Sequence, residues 1–198
     1  MKTVHVVGDS ISMHYGPYLE KALGSDYAYS RKGGEFGNLD NPTGANGGDS
    51  SMVLQYLKWL SNNKYHSDFI VINCGLHDVK RFPDTENMQI SPENYKQNIE
   101  EIVKNVSKLC TTVLWVSSTP VDDQIHRNAL KDFYRLNSDV IMYNGIAGSI
   151  MQNNNIRVAD LYSFTLELGD ALYCDHVHFK EYIRHKQGEY LASVIKSL

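Results

Sequence analysis

Val4-His5-Val6-Val7-Gly8-Asp9-Ser10-Ile11 is the stretch on which the fold turns. Its short apolar run predicts a buried strand that stops at Gly8 and passes directly into a helix. Ser10 is then expected at the carboxyl edge of the first strand, the edge where open parallel sheets bind ligands. A helix start also offers unsatisfied backbone N–H groups and a partial positive charge, both suited to an oxyanion. The plain alternative is that Asp9 or Ser10 only caps the helix.

Working outward, similar short runs occur at Thr3 to Val7, Tyr27 to Arg31, Phe69 to Asn73, Val113 to Ser117 and Ile156 to Ala159. Segments with helical spacing separate them. Between Ser50 and Ser61, Met52, Val53, Tyr56, Leu57 and Leu60 recur every three or four residues, the periodicity of one helix face. Ser91-Pro92-Glu93 supplies a cap, a first-turn proline and a first-turn acid to a helix predicted to reach Leu109. Further helices are predicted over Ile11 to Leu23, Ala129 to Gln152 and Lys180 to Lys196. Alternating strands and helices imply a parallel sheet, and right-handed crossovers make it a flavodoxin-like three-layer α/β/α sandwich of about five strands. The Gly- and Asn-rich stretch from Gly33 to Gly48 is the long irregular segment, of the kind that often carries function.

The 198 residues, 42% of them hydrophobic, are expected to form one domain with a sizeable core. Nineteen Lys and Arg against 23 Asp and Glu leave a formal charge of -4 with no basic block, which argues against nucleic acid as a partner. Cys74, Cys110 and Cys174 are read as free thiols, since their number is odd and their spacing matches no zinc site. The start of the chain lacks the apolar stretch and cleavage site of a secretory signal. A cytoplasmic protein with no membrane span is the simplest expectation, although an exported protein without its signal would look the same.

Near the other end, Tyr173-Cys174-Asp175-His176-Val177-His178-Phe179 precedes the last helix. Residues three apart on one helical turn face each other, so Asp175 can hold the His178 imidazole while His176 points elsewhere. A serine hydroxyl needs such a base, and the base needs an acid to fix its tautomer. A metal site at His176 and His178, with Asp175 and Cys174 beside them, has suitable donors but no second cluster to complete it. The triplet Gly8-Asp9-Ser10 occurs again as Gly48-Asp49-Ser50. There a glycine-rich loop precedes it rather than an apolar strand, so Asp49 or Ser50 is read as a cap. The Gly-x-Ser-x-Gly elbow of the α/β-hydrolase architecture is absent around both serines.

A third motif, Cys74-Gly75-Leu76-His77-Asp78, follows the strand Phe69 to Asn73. With it in place the chain resembles the SGNH or GDSL hydrolase superfamily, from the first strand to the last helix. Gly8-Asp9-Ser10-Ile11 is similar to its nucleophile block, and Asp175-His176-Val177-His178 to its closing Asp-x-x-His block. Asn46-Gly47-Gly48-Asp49-Ser50 resembles the second block, whose glycine N–H joins the oxyanion hole. Two glycines are candidates, and Gly48 is the one expected. Ser117-Ser118-Thr119-Pro120 and Val158-Ala159-Asp160-Leu161-Tyr162 resemble family framework. The third block departs from the family's Gly-x-Asn-Asp, and the resemblance implies that His77 stands in for the asparagine whose amide completes the hole. A neutral imidazole has one N–H to offer and can substitute if tautomer and reach are right.

The resemblance implies a serine esterase with Ser10, His178 and Asp175 as triad and with Ser10, Gly48 and His77 as oxyanion donors. No cofactor or metal is called for. Its substrate is a small-molecule or saccharide ester, since Arg31 to Asn46, with Phe36, and Asp122 to Tyr134 offer polar borders to the cleft. The acyl group is expected to be acetyl. Lipases, lysophospholipases and thioesterases of the same superfamily are alternatives. A catalytically silent saccharide-binding module is a reading of another class. A flavodoxin-like nucleotide binder would follow from fold alone, but no Gly-x-Gly-x-x-Gly or Walker pattern occurs. The sequence leaves the oligomeric state open.

Overall fold

The computed structural model describes residues 1–34, 44–129 and 132–198. Five strands, β1 (Lys2–Val7), β2 (Tyr27–Arg31), β3 (Ser67–Ile72), β4 (Cys110–Val116) and β5 (Arg157–Ala159), form one sheet in the order β2-β1-β3-β4-β5. Every pairing is parallel. Val4 and Val6 of β1 and Ile70, Val71 and Ile72 of β3 have no solvent exposure, as befits strands covered on both faces. The order reverses direction between β1 and β3. The switch point therefore opens between the loops that leave those two strands, which carry Ser10 and His77.

The helices are α1 (Ser10–Leu23), α2 (Ser50–Asn62), α3 (Pro92–Val106), α4 (Asp123–Ala129), α5 (Asn137–Asn153), α6 (Leu161–Leu166) and α7 (Glu181–Lys196). α1 packs on α7, and α6 joins them, while α2, α3 and α5 pack together, so the sheet lies between two helical layers. The α1–α7 contact is close because Gly188 brings its backbone against Tyr18 and Leu19; a Cβ there would stand 2.7 Å from the Leu19 nitrogen.

The expected caps are present. Asp9 accepts the Ile11 N–H at 3.0 Å, Asp49 accepts the Ser51 and Met52 N–H groups, and Ser91 accepts that of Asn94.

One predicted helix is wrong in extent. The span Ala129 to Gln152 is not continuous: α4 ends at Ala129 and α5 starts only at Asn137. Between them Tyr134 exchanges both backbone hydrogen bonds with Arg81, at 2.8 and 2.9 Å, and Asp123 takes the Asn137 N–H at 2.7 Å. These tertiary partners replace the bonds a continuous helix would have made. The helix predicted to Leu109 stops at Val106. Within the irregular stretch expected over Gly33 to Gly48, residues 35–43, including Phe36, lie outside the described residues.

Candidate active site

Folding brings the two ends of the chain together. Ser10, the first residue of α1, is 5% exposed. Its Oγ lies 2.8 Å from His178 Nε2, across 168 positions of sequence, and His178 Nδ1 lies 2.7 Å from Asp175 Oδ2. His178 is itself 2% exposed. No acceptor among the described residues takes the Ser10 N–H, which is one of the open donors of a helix's first turn.

The acid and imidazole meet by a different local device from the one expected. Residues 174–177 form a bend, and α7 starts only at Glu181. Asp175 Oδ1 accepts the Val177 N–H at 2.9 Å and the His178 N–H at 2.7 Å. That side-chain-to-backbone turn curls the segment until Oδ2 faces the ring. Burial alone would push the Asp175 carboxyl up; the two backbone N–H groups and His178 outweigh it and hold the group below its usual value. A hydroxyl, an imidazole and a carboxylate in this line can pass a proton from the hydroxyl to the ring while the acid holds the tautomer.

His176 does not enter the line of Ser10, His178 and Asp175 Oδ2, but its Nδ1 stands 3.8 Å from Asp175 Oδ1, and its ring lies 5.9 Å from that of His178 and 5.0 Å edge-on to that of His126. Among the described residues no group of three His, Cys, Asp or Glu side chains is arranged to hold a metal ion. Among the described residues no imidazole bonds to Ser50; its N–H donates to both oxygens of Asp78 at 2.9 and 3.1 Å, and its Oγ accepts from Asn98. Cys74 and Cys110 are buried, while Cys174 is exposed, with the Arg184 guanidinium 3.3 Å from its sulfur.

The proposed oxyanion donors are placed as follows. Gly47 donates its N–H to Gly8 O at 2.8 Å, pinning the second block against the first. Gly48, at φ +73°, donates its N–H to the Asn46 side-chain oxygen at 2.8 Å. His77 is 2% exposed in the loop after β3, on the edge that carries Ser10. Asp78 ties that loop to the start of α2 through Ser50. Burial pushes the Asp78 carboxyl up to about 7, against the opposing pull of the Ser50 bonds.

Two neighbours escaped sequence reading. His14 lies one turn beyond Ser10 on α1, with its ring 4.8 Å from that of His178. Burial first, then the charges of Arg184 and His178, lower its pKa to about 4, so it is neutral at physiological pH. The four-residue spacing from Ser10 was the available signal. Arg135, 1% exposed, is the other, and nothing local in the sequence marks it.

Fold and family together define a hydrolase that acts on ester bonds. The chain belongs to the GDSL-like lipase/acylhydrolase family, whose pattern matches residues 4–191. Among curated proteins none matches it by sequence. Solved structures share its fold. A lipase/acylhydrolase from Enterococcus faecalis has 17% identity and a TM-score of 0.71, over 100% of this chain and 96% of that one. A carbohydrate acetylesterase from Sinorhizobium meliloti has 14% identity and a TM-score of 0.66, over 100% and 99%. An acetyl xylan esterase variant from Geobacillus stearothermophilus has 14% identity and a TM-score of 0.71, over 98% and 94%. No helix among the described residues is long and apolar enough to cross a membrane.

Proposed function

We propose that the chain is a serine esterase that removes an acetyl group from a carbohydrate or other small polar ester through an acyl-enzyme. The observation that carries this reading is the unbroken line from Ser10 Oγ through His178 to Asp175. His178 takes the Ser10 proton as the oxygen attacks the ester carbonyl, and Asp175 stabilises the imidazolium. The oxyanion is met by the Ser10 N–H, the His77 ring and the Gly48 N–H. Gly48 joins by exchanging the neutral amide oxygen of Asn46 for an anionic one, the stronger acceptor. The alcohol departs with the proton from His178, and a water activated by the same ring releases the acid.

The preference for a small polar ester rests on the acetyl- and carbohydrate-esterase neighbours; an open groove of about 390 Å³ beside Tyr173, with Asp122, Asn137 and Asp170 in its lining, is lined by neither Ser10 nor His178.

The test uses p-nitrophenyl acetate, a fluorophosphonate probe and a panel of acetylated sugars set against long-chain esters and thioesters. Wild type is expected to take the probe and hydrolyse acetyl esters, and Ser10→Ala to do neither. Equal labelling of both proteins removes Ser10 as the nucleophile. Sugar binding with no Ser10-dependent turnover replaces the esterase reading with a silent binding module. Faster turnover of long-chain esters moves the substrate to the lipase class.

A further inference from the structure

We infer that Arg135 is a positioning residue for the oxyanion hole, acting through the peptide that carries His77. This rests on the proposed assignment of His77.

The Arg135 guanidinium is buried, and a buried cation is stable only where directed partners meet it. Its Nε donates to Leu76 O at 2.5 Å, its Nη1 lies 2.8 Å from His126 Nε2, and its plane stands 5.0 Å from the Phe133 ring centroid. Arginine has no lone pair to give, so His126 Nε2 is the acceptor. The guanidinium thus ties His126 and Phe133 to the loop after β3.

The clamped carbonyl belongs to the peptide unit that ends at the His77 nitrogen. That unit is planar, so fixing the Leu76 oxygen fixes the plane from which the His77 side chain projects. Upstream, Gly75 sits at φ +152°, a conformation open to glycine and poorly held by itself. The loop is also held at Cys74 O by the Tyr95 and Ser118 hydroxyls, at Asp78 by the Ser50 and Ile90 N–H groups, and by its own bonds from Val79 N–H to Gly75 O at 3.0 Å and from Lys80 N–H to His77 O at 3.5 Å. None of these acts on the Leu76 carbonyl. An oxyanion donor contributes only when aimed at the place where charge develops. A lysine in place of Arg135 keeps the charge but cannot span both acceptors, since it lacks the planar fork.

The experiment is a double-mutant cycle on acetyl ester turnover, with wild type, Arg135→Lys, His77→Ala and the double variant. Thermal unfolding and fluorophosphonate titration fix the folded, reactive fraction of each. Arg135→Lys is expected to lower kcat about 100-fold, the scale of a misplaced group, with KM nearly unchanged. In the His77→Ala background the same substitution should cost less than about threefold, because the group it positions is gone. A purely structural role would cost the same factor in both backgrounds, and that result overturns the inference, as does undiminished kcat in Arg135→Lys. Full activity in His77→Ala alone removes His77 from the mechanism, and the positioning role falls with it. If Arg135→Lys does not fold, Phe133→Leu, at a half-buried site, loosens the guanidinium and takes its place in the cycle with the same two outcomes.

Discussion

Replacing Asp175 by asparagine and by alanine separates two things the carboxylate does. Oδ1 accepts two backbone N–H groups, from Val177 and His178, while Oδ2 alone faces the ring. An asparagine can keep its oxygen on the backbone pair and turn its NH₂ toward His178 Nδ1. The reverse orientation keeps one good bond and sets an NH₂ against two N–H groups. The difference is two hydrogen bonds at about 1 kcal/mol each, roughly a thirtyfold bias. In the favoured orientation Nδ1 must accept, so the proton moves to Nε2 and the ring cannot take one from Ser10. Asparagine in place of the acid of such a triad costs about 10⁴ in kcat. About 300-fold of that then belongs to the missing charge, the share that Asp175→Ala should also lose, with no tautomer imposed. Steady-state kcat on p-nitrophenyl acetate, corrected for the folded fraction, measures both variants. Asp175→Asn should be the slower by about thirtyfold. An Asn variant as fast as the Ala variant would show that the backbone pair does not set the amide's orientation.

Two further outcomes concern stability. Gly188→Ala should lower the urea midpoint, because its Cβ would lie 2.7 Å from Leu19 N and Tyr18 Cβ, and overpacking of about 1–3 kcal/mol exceeds the helix propensity gained; an unchanged midpoint contradicts the close approach of α1 and α7. The Asp78 carboxyl, raised from 3.8 to about 7 by burial, binds a proton more readily folded than unfolded. Its contribution to stability is therefore present below about pH 4 and lost as pH rises toward 7. Calorimetric Tm values of Asp78→Asn should gain on wild type across that window, and a pH-independent difference between the two proteins would contradict the shift.

What could be read from sequence was local. The apolar run of β1 and the Gly-Asp-Ser that ends it depend on neighbours within a few positions, and so do the cap at Asp49 and the pairing of Asp175 with His178. Even there, spacing gave the right contact by the wrong route: three residues apart suggested a helical turn, and the chain uses a carboxylate-centred bend. The helix predicted from Ala129 failed because the apolar periodicity of α5 says nothing about Arg81, whose backbone claims Tyr134 from 53 positions away. Arg135 was invisible for the same reason, since its acceptor at Leu76 lies 59 positions back. Gly48 was named from its block, but the acceptor of its N–H was not. That acceptor, Asn46 Oδ1, is only two residues off, yet which acceptor the N–H finds depends on a backbone turn that composition does not specify.

The parallel topology explains why aspartates crowd this edge. When every strand runs the same way, every chain leaving the sheet enters its next helix on one side, and the open N–H groups of helix starts gather there. Asp9, Asp49 and Asp160 each cap such a start, and Asp78 takes the first N–H of α2 from a neighbouring loop. The cost appears in the buried members: burial raises the Asp9 carboxyl against the help of Ile11, Arg135 and His178, and its Oδ2 has no hydrogen-bond partner among the described residues. Donors beyond the reach of these acids are left for other acceptors. The Ser10 N–H is one, and the Gly48 N–H is held by a neutral amide rather than a carboxylate. The edge that needs carboxylates to hold its helices is for the same reason the edge where donors suited to an anion gather, which is what the proposed reaction requires.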